Sequence, residues 1–297
     1  MRLISFDGDR VGKVVGESVI DLTPLTGPGG MPRLITEWEA LRPEAEARSG
    51  SGLPLASVRL EAPVRHPGKI IAAPVNYDDH KEEMKQIGDV SHLGFFLKAP
   101  SSILRPGGTI QLPYTDRRFD NEGELALVIG RRCRNVPLEQ ALDVVFGYTC
   151  LLDITMRGGE DRSTRKSFDT FTPLGPWLVT PDEFGDPTDA ELTCVVNGQL
   201  RQKANTGQLI WGVAKLIAYY SSVMTLEPGD VITTGTPAGV APIEAGDQVT
   251  AAISSIGELT VDVAADHAGP CPTLGAGSGP VPPPPPPRTQ NPEQKDS

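Results

Sequence analysis

The sequence predicts an α+β fold, and three observations carry that prediction. Between residues 69 and 265 short strand-like apolar runs dominate, helical patterns are few and segregated, and glycine or proline punctuates nearly every run. The alternating strand and helix rhythm of a doubly wound parallel sheet is not found. With 297 residues, one or two domains are expected, and 32 glycines with 29 prolines imply many turns.

Residues 1–22 read LISF, KVV and VIDL, separated by GDRVG and GES, which is the pattern of a small antiparallel meander. A polar, helical-looking stretch from Arg33 to Arg48 follows, and a Gly/Ser/Pro cluster from Ser49 to Pro54 ends it. A boundary at Pro63 to Pro67 closes a small β-rich N-terminal domain, residues 1–66. In the second domain, residues 67–266, strands are expected at KIIAA, FFLK, ELALVI, VVFGYTCLL, ELTCVV, DVITT and QVTAAI, with Asn197-Gly198 as a tight hairpin turn. Helices are expected from Asp78 to Ile87, Leu138 to Val145 and Leu209 to Val223. LEPGD-VITTG and IEAGD-QVTAAI echo one another, each an acidic-glycine turn feeding a strand. Residues 267–297 hold ten prolines and no aromatic side chain, too little apolar surface to offset ordering entropy, so they read as a disordered tail with polyproline II character. Such a run can dock on an SH3-like groove, though a solvated tail is the plainer reading.

The charges of the tail cancel, which leaves the net −11 on residues 1–266. With 27 basic against 38 acidic residues, a nucleic-acid binder is not expected. The four cysteines form no CxxC pair, so neither a zinc ribbon nor a disulfide framework is signalled. Asp7 and Asp9 interrupt the N-terminus before a signal-peptide core develops, and no apolar run approaches the roughly 18 residues of a membrane span. The expectation is a cytoplasmic protein with no membrane segment.

The chemistry starts at Glu122-Gly123-Glu124. On a strand these two carboxylates share a side, about 7 Å apart, while Leu125, Leu127 and Ile129 fill the other. Such a pair can grip a hard cation, or it can be an exposed strand edge. Asp153 is the third carboxylate, between GYTCLL and ITM, where an ionised group costs several kcal/mol unless paired or metal-bound. Oxygen-only ligands suit Mg2+ or Mn2+; a salt bridge to Arg157 is the competing explanation. In NYDDHKEE, His80 and Glu83 share a helix face, so the carboxylate can take one imidazole N–H and leave the other nitrogen as a base. That helix has only Met84 and Ile87 as apolar anchors, the pattern of a weakly packed lid, although an exposed His–Glu pair is also common. Arg157 and Lys166 can bind a substrate carboxylate or stabilise an oxyanion, while the run GGEDRSTRK, with Arg162 and Arg165, also reads as solvated charge. Thr236 in GTPAG follows a strand, as a pocket-lining hydroxyl or an ordinary turn.

The order of these motifs resembles the fumarylacetoacetate hydrolase family. NYxxH with Glu three residues on, FLK, ExELxxVIG, the GYT run ending in Asp153 and Arg157, KSFDTF-PLGPW, VNGQLRQ, LEPGD and GTPAGV are collinear from Ile70 to Val263. The resemblance implies a mixed β-sandwich roll, usually a homodimer, with Glu122, Glu124 and Asp153 as ligands of Mg2+ or Mn2+. It also implies His80 with Glu83 as a water-activating dyad on a lid, and Arg157, Lys166 and Thr236 as substrate contacts. One position departs from the pattern: Leu152 stands where many members have Asn. The expected activity is hydrolytic carbon–carbon cleavage of an acylpyruvate or similar β-diketone through a metal-stabilised enolate. Decarboxylation of a 2-oxo diacid, or isomerisation of a hydroxymuconate-like diacid, is the alternative use of the same enolate chemistry.

Overall fold

The computed structural model describes residues 1–283. Two sheets form its body. The larger has twelve strands; ten run in order from Leu53–Pro54 through Ser18–Asp21, Arg10–Val15 and Arg2–Phe6 to Thr172–Val179, Val145–Leu152, Gly123–Ile129, Val231–Thr233, Ile70–Ala72 and Phe96–Lys98, while Leu60–Glu61 pairs with Arg2–Phe6 and Ile103–Leu104 with Thr172–Val179. Most neighbours are antiparallel, but Val231–Thr233 and Ile70–Ala72 pair in parallel, so the sheet is mixed. The smaller sheet has five strands, in the order Gln199–Asn205, Glu191–Val196, Gln248–Ile253, Gly257–Ala264 and Thr109–Gln111. This is the expected α+β architecture.

The strand Gly123–Ile129 shows why the layers stack as they do. It is buried along its whole length, and its side chains alternate between two cores. Leu125, Leu127 and Ile129 join Cys150, Leu192, Val249 and Leu259 between the sheets. Ala126 and Val128 join Leu3, Leu34, Ile35, Phe146, Leu151 and Leu178 on the opposite side, where Trp38 meets Phe146 edge to face at 5.2 Å. Residues of the N-terminal 66 thus complete a core whose other half comes from the central sheet, and Arg2–Phe6 hydrogen-bonds directly to Thr172–Val179.

The turns follow local chemistry. Asn197 (φ 51°) and Gly198 (φ 74°) both adopt the positive φ that a two-residue hairpin of this kind requires. The two echoing segments make the same turn: Asp230 accepts from Glu227 N at 2.7 Å, and Asp247 from Glu244 N at 2.8 Å. The helices are shorter than the sequence pattern suggests. The lid helix is Asp78–Glu83 and stops because Lys85 (φ 51°) takes a left-handed conformation, with Lys85 N bonded to Glu82 O and Gln86 N to Lys81 O. Leu138–Val144 winds as a 3-10 helix, and the last helix begins only at Val213, after Gly212. The polar, helical-looking stretch from Arg33 to Arg48 falls on two helices, Gly30–Thr36 and Trp38–Ala47.

Residues 267–283 run back along the body: Gly269 O accepts from Thr115 N, Gly275 O from Gly159 N, and Pro282 O from Arg118. Residues 284–297, which include most of the proline run, lie outside the described residues. Among the described residues no helix is long and apolar enough to cross a membrane.

Leu178 is fully buried at the junction of the N-terminal helices and the central sheet. Leu178→Ala is expected to cost about 2–5 kcal/mol and to lower the denaturant midpoint of one shared unfolding transition, read by tryptophan fluorescence and circular dichroism.

Candidate active site

The floor of the site is set by strand register. Gly123 pairs with Leu152, and the main chain continues the match one step further as Asp153 N donates to Glu122 O at 2.8 Å. Glu122, Glu124 and Asp153 are therefore brought together, all buried, with one carboxylate oxygen of each within 4.8 Å of the others. Asp153 sits just past the end of its strand, not inside it. Leu152 is fully buried in the core between the sheets, so this apolar residue meets an apolar environment.

Four protons-bearing side chains are organised around these acids. Lys166 Nζ donates to Glu122 at 2.7 Å, Asp153 at 2.5 Å and Thr155 at 2.6 Å, and it lies 5.4 Å from the Phe96 ring centre. Arg157 binds Asp120 at 2.5 Å and Glu122 at 2.8 Å, and makes no ion pair with Asp153, contrary to the structural alternative raised for that residue. Lys98, fully buried, pairs with Asp153 and donates to Phe171 O at 2.9 Å. Thr233 donates to Glu124, which also accepts from Gly235 N at 2.9 Å.

The electrostatics separate the three carboxylates. Burial opposes ionisation of Glu122, but Lys166 and Arg157 outweigh it and hold the carboxyl well below its usual range. Burial pushes Glu124 up to about 8, and the neighbouring Asp153 charge adds to the effect. Glu124 has no cationic side chain within ion-pair distance among the described residues, whereas Asp153 has two. Burial lowers Lys98 despite the pull of Asp153; for Lys166 burial is overcome by Asp153 and Glu122, and its pKa rises. The set lacks positive charge at Glu124, and all its donors are hard oxygens. A Mg2+ or Mn2+ ion fits that donor set, and zinc chemistry, which favours nitrogen and sulfur, does not.

The helix Asp78–Glu83, expected as a lid, carries His80 over this floor. His80 Nδ1 lies 2.9 Å from Glu83, whose other oxygen accepts from Gly239 N at 2.9 Å. With its proton on Nδ1, the ring donates to Glu83 and leaves Nε2 as an acceptor. Gly239 (φ 97°) has no room for a side chain, since an added Cβ would come within 1.9 Å of Arg201 O. Met84 is buried as expected of an anchor, but Ile87 is 94% exposed and anchors nothing, because the helix has already ended. The chain reaches the lid through Val75, a β-branched residue at φ 45°. Asn76 fixes this strained link: its amide donates to Trp211 O and Thr234 O and accepts from Trp211 N.

His80, Glu122, Glu124, Asp153, Arg157, Lys166 and Thr236 all line one pocket. Glu83 stands behind His80, and the Thr236 hydroxyl donates to Gly123 O at 3.0 Å while accepting from Gln202. Sequence reasoning missed Lys98 and Asp120. A lysine closing the apolar run FFLK was the available signal for the first; Asp120 had none beyond its place two residues before Glu122. It also took Arg165 as part of a solvated run, and Arg165 is buried.

Buried hard-oxygen ligands beneath a histidine held by a carboxylate are the equipment of a metal-dependent hydrolase. Residues 69–264 match the family described as fumarylacetoacetate (FAA) hydrolase C-terminal. A maleylpyruvate hydrolase of Aquipseudomonas alcaligenes is 44% identical over 89% of this chain and 99% of its own. The structure of a maleylpyruvate hydrolase from Sphingobium sp. SYK-6, in complex with manganese(II) ion and pyruvate, is 44% identical with a TM-score of 0.81, covering 91% of this chain and all of that one. A 2-hydroxyhepta-2,4-diene-1,7-dioate isomerase from Mycobacterium marinum is 36% identical with a TM-score of 0.73, over 90% of this chain and 99% of that one. The chain belongs to the fumarylacetoacetate hydrolase family.

Removing Asp153 would leave Lys98 and Lys166 short of their shared buried anion. Asp153→Ala is expected to lose about 3–5 kcal/mol of stability in metal-free protein, a penalty measurable by chemical denaturation.

Proposed function

We propose that this protein hydrolyses the carbon–carbon bond of an acylpyruvate, a 2-oxo acid carrying a second carbonyl two carbons away, with Glu122, Glu124 and Asp153 holding Mg2+ or Mn2+. The observation that carries the reading is that one pocket is lined both by the three carboxylates and by His80, which Glu83 orients from behind. The two maleylpyruvate hydrolases similar to this chain support it.

A cation held by Glu122, Glu124 and Asp153 would supply Lewis-acid stabilisation of the enolate that the 2-oxo acid forms. His80 Nε2 takes a proton from water while Glu83 steadies the resulting positive ring. The hydroxide adds to the acyl carbonyl carbon, and the bond from that carbon to the pyruvate methylene breaks. Its electron pair passes into the pyruvate enolate, and the acyl half leaves as a carboxylic acid that ionises. His80 then returns its proton to the methylene carbon, which completes pyruvate. Lys166, fixed by Glu122, Asp153 and Thr155, presents a permanent positive charge to the developing negative charge. Decarboxylation and double-bond isomerisation use the same enolate without attacking water; the His80–Glu83 pair favours hydrolysis over both.

The cytoplasm and a homodimer belong to the same proposal, the first supported by four unpaired cysteines and the second by family resemblance. Light scattering of the full chain reads the assembly directly.

The test is a panel of acylpyruvates, oxaloacetate and hydroxymuconates, each assayed with Mg2+, Mn2+ or chelator. Loss of enol absorbance, carbon dioxide release and double-bond migration are scored separately. Acylpyruvate cleavage that chelator abolishes is expected, and His80→Ala should lower kcat by about 10²- to 10⁴-fold with Mn2+ still bound. Glu124→Gln should instead weaken Mn2+ binding more than tenfold by calorimetry. Full turnover by His80→Ala would remove the dyad from the mechanism.

A further inference from the structure

The active-site pocket is small for a substrate. It encloses about 40 Å3, whereas sites for small organic molecules hold roughly 300 Å3 or more. Part of its wall must therefore move before a 2-oxo acid reaches the carboxylates. One wall residue, Pro280, belongs to none of the catalytic strands or helices and comes from the segment after the last strand, Gly257–Ala264. Pro280 also borders a groove of about 460 Å3, together with Val281 and Pro283 and with Glu83, Met84, Lys85 and Gln86 at the end of the helix that carries His80. Pro280 is thus the partition between a pocket too small for substrate and a groove large enough for one.

The segment divides into an anchor and a flap. In the anchor, Gly269 O accepts from Thr115 N at 2.9 Å, Cys271 N donates to Asp116 at 2.9 Å, and the Thr273 hydroxyl sits between Arg117 and Glu160. The last of these ties is Gly275 O, which accepts from Gly159 N at 3.0 Å. Beyond it, among the described residues, one hydrogen bond joins residues 276–283 to the body, from Arg118 to Pro282 O at 3.2 Å, and only Pro282 is buried. Gly277 (φ 72°) and Gly279 (φ 79°) make the turns at the base of this flap, and Gly279 lies so close to the main chain that an added Cβ would come within 2.4 Å of Gly158 O. A segment with so few buried contacts opens at low cost. The helix carrying His80 is held more firmly, through Glu83, the buried Met84 and the three hydrogen bonds of Asn76. The flap is the looser of the two walls.

We propose that residues 276–283 gate the active site: Pro280 shuts the pocket in the resting enzyme, and substrate enters by lifting this flap, which joins the pocket to the groove. The inference rests on the acylpyruvate reading for the identity of what enters. A site that is open for only a fraction of the time binds with its affinity reduced by that fraction, so a change that lifts or pins the flap changes KM.

The experiment lifts the flap in one full-length variant and pins it in another, both with Mn2+. Gly279→Ala pushes the flap away from Gly158 and is expected to raise kcat/KM for an acylpyruvate at least about threefold, through KM. For the pin, a Cβ placed on Gly159 lies 3.2 Å from Ser278 Cβ, close to the span of a disulfide. Oxidised Gly159→Cys with Ser278→Cys, its bond confirmed by mass, should lose at least about tenfold in kcat/KM and recover it in dithiothreitol. Wild type and the two single variants should not respond to the reductant. In parallel, calorimetry measures pyruvate binding to the Mn2+-loaded proteins, a readout that needs no turnover, and weaker binding in the oxidised pair than in the reduced pair supports the gate. Full activity in the oxidised pair, or a Gly279→Ala enzyme whose KM is unchanged or raised, overturns it. A wild type that cleaves no acylpyruvate, with pyruvate binding that still follows the disulfide, overturns the hydrolase reading and leaves the gate standing. Gly279→Ala tests the proposal even where the paired cysteines disturb folding.

Discussion

Three carboxylates confined to one dry space impose the constraint around which this molecule is built. At separations under 4.8 Å their mutual repulsion in a low-dielectric setting exceeds what water could screen. The fold answers with ammonium and guanidinium groups at two of the three, through Lys98, Lys166 and Arg157, and with only a hydroxyl and an amide at Glu124. That asymmetry leaves a defined place for one more positive charge. It also explains why lysines that would be costly in an ordinary core are tolerated: each is the counter-ion of an acid that would be costlier alone.

The architecture supplies the rigidity this arrangement needs. Glu122 and Asp153 sit at the paired ends of two neighbouring strands, so their spacing is a property of the ladder and not of a loop. Both strands are buried on both faces, one against the smaller sheet and one against the N-terminal elements. The element that carries His80 is separate: a six-residue helix entered through a strained Val75 and tied to the body by Glu83 and Gly239. The proposed hydrolysis asks the strand-borne carboxylates to stay fixed while this helix adjusts.

Much of this was legible in the sequence because its signals are local. Alternation along ELALVI and the apolar run ending in Asp153 located the strands, and a third carboxylate in an apolar neighbourhood singled out the floor. The three-residue spacing of His80 and Glu83 gave their contact. What stayed hidden depends on long-range pairing. Lys98 meets Asp153 across 55 residues of chain, and Arg157 chooses Asp120 and Glu122 over the nearer Asp153 because strand register, not sequence distance, sets its reach. The lid helix was overestimated because its end is decided by a left-handed Lys85, a residue type without a strong turn preference. Arg165 looked solvated within a polar run because a short helix can bury two neighbours of such a run, here Arg165 and Lys166, and leave the rest at the surface.

The central claim is that Glu122, Glu124 and Asp153 jointly hold one divalent cation. Anomalous diffraction from crystals soaked in manganese tests it most directly. The account predicts a single strong peak with an oxygen of each carboxylate at roughly 2.1 Å, lost on soaking with chelator. A peak elsewhere, or three carboxylates still bridged only by Lys98 and Lys166 in the presence of the ion, would contradict it.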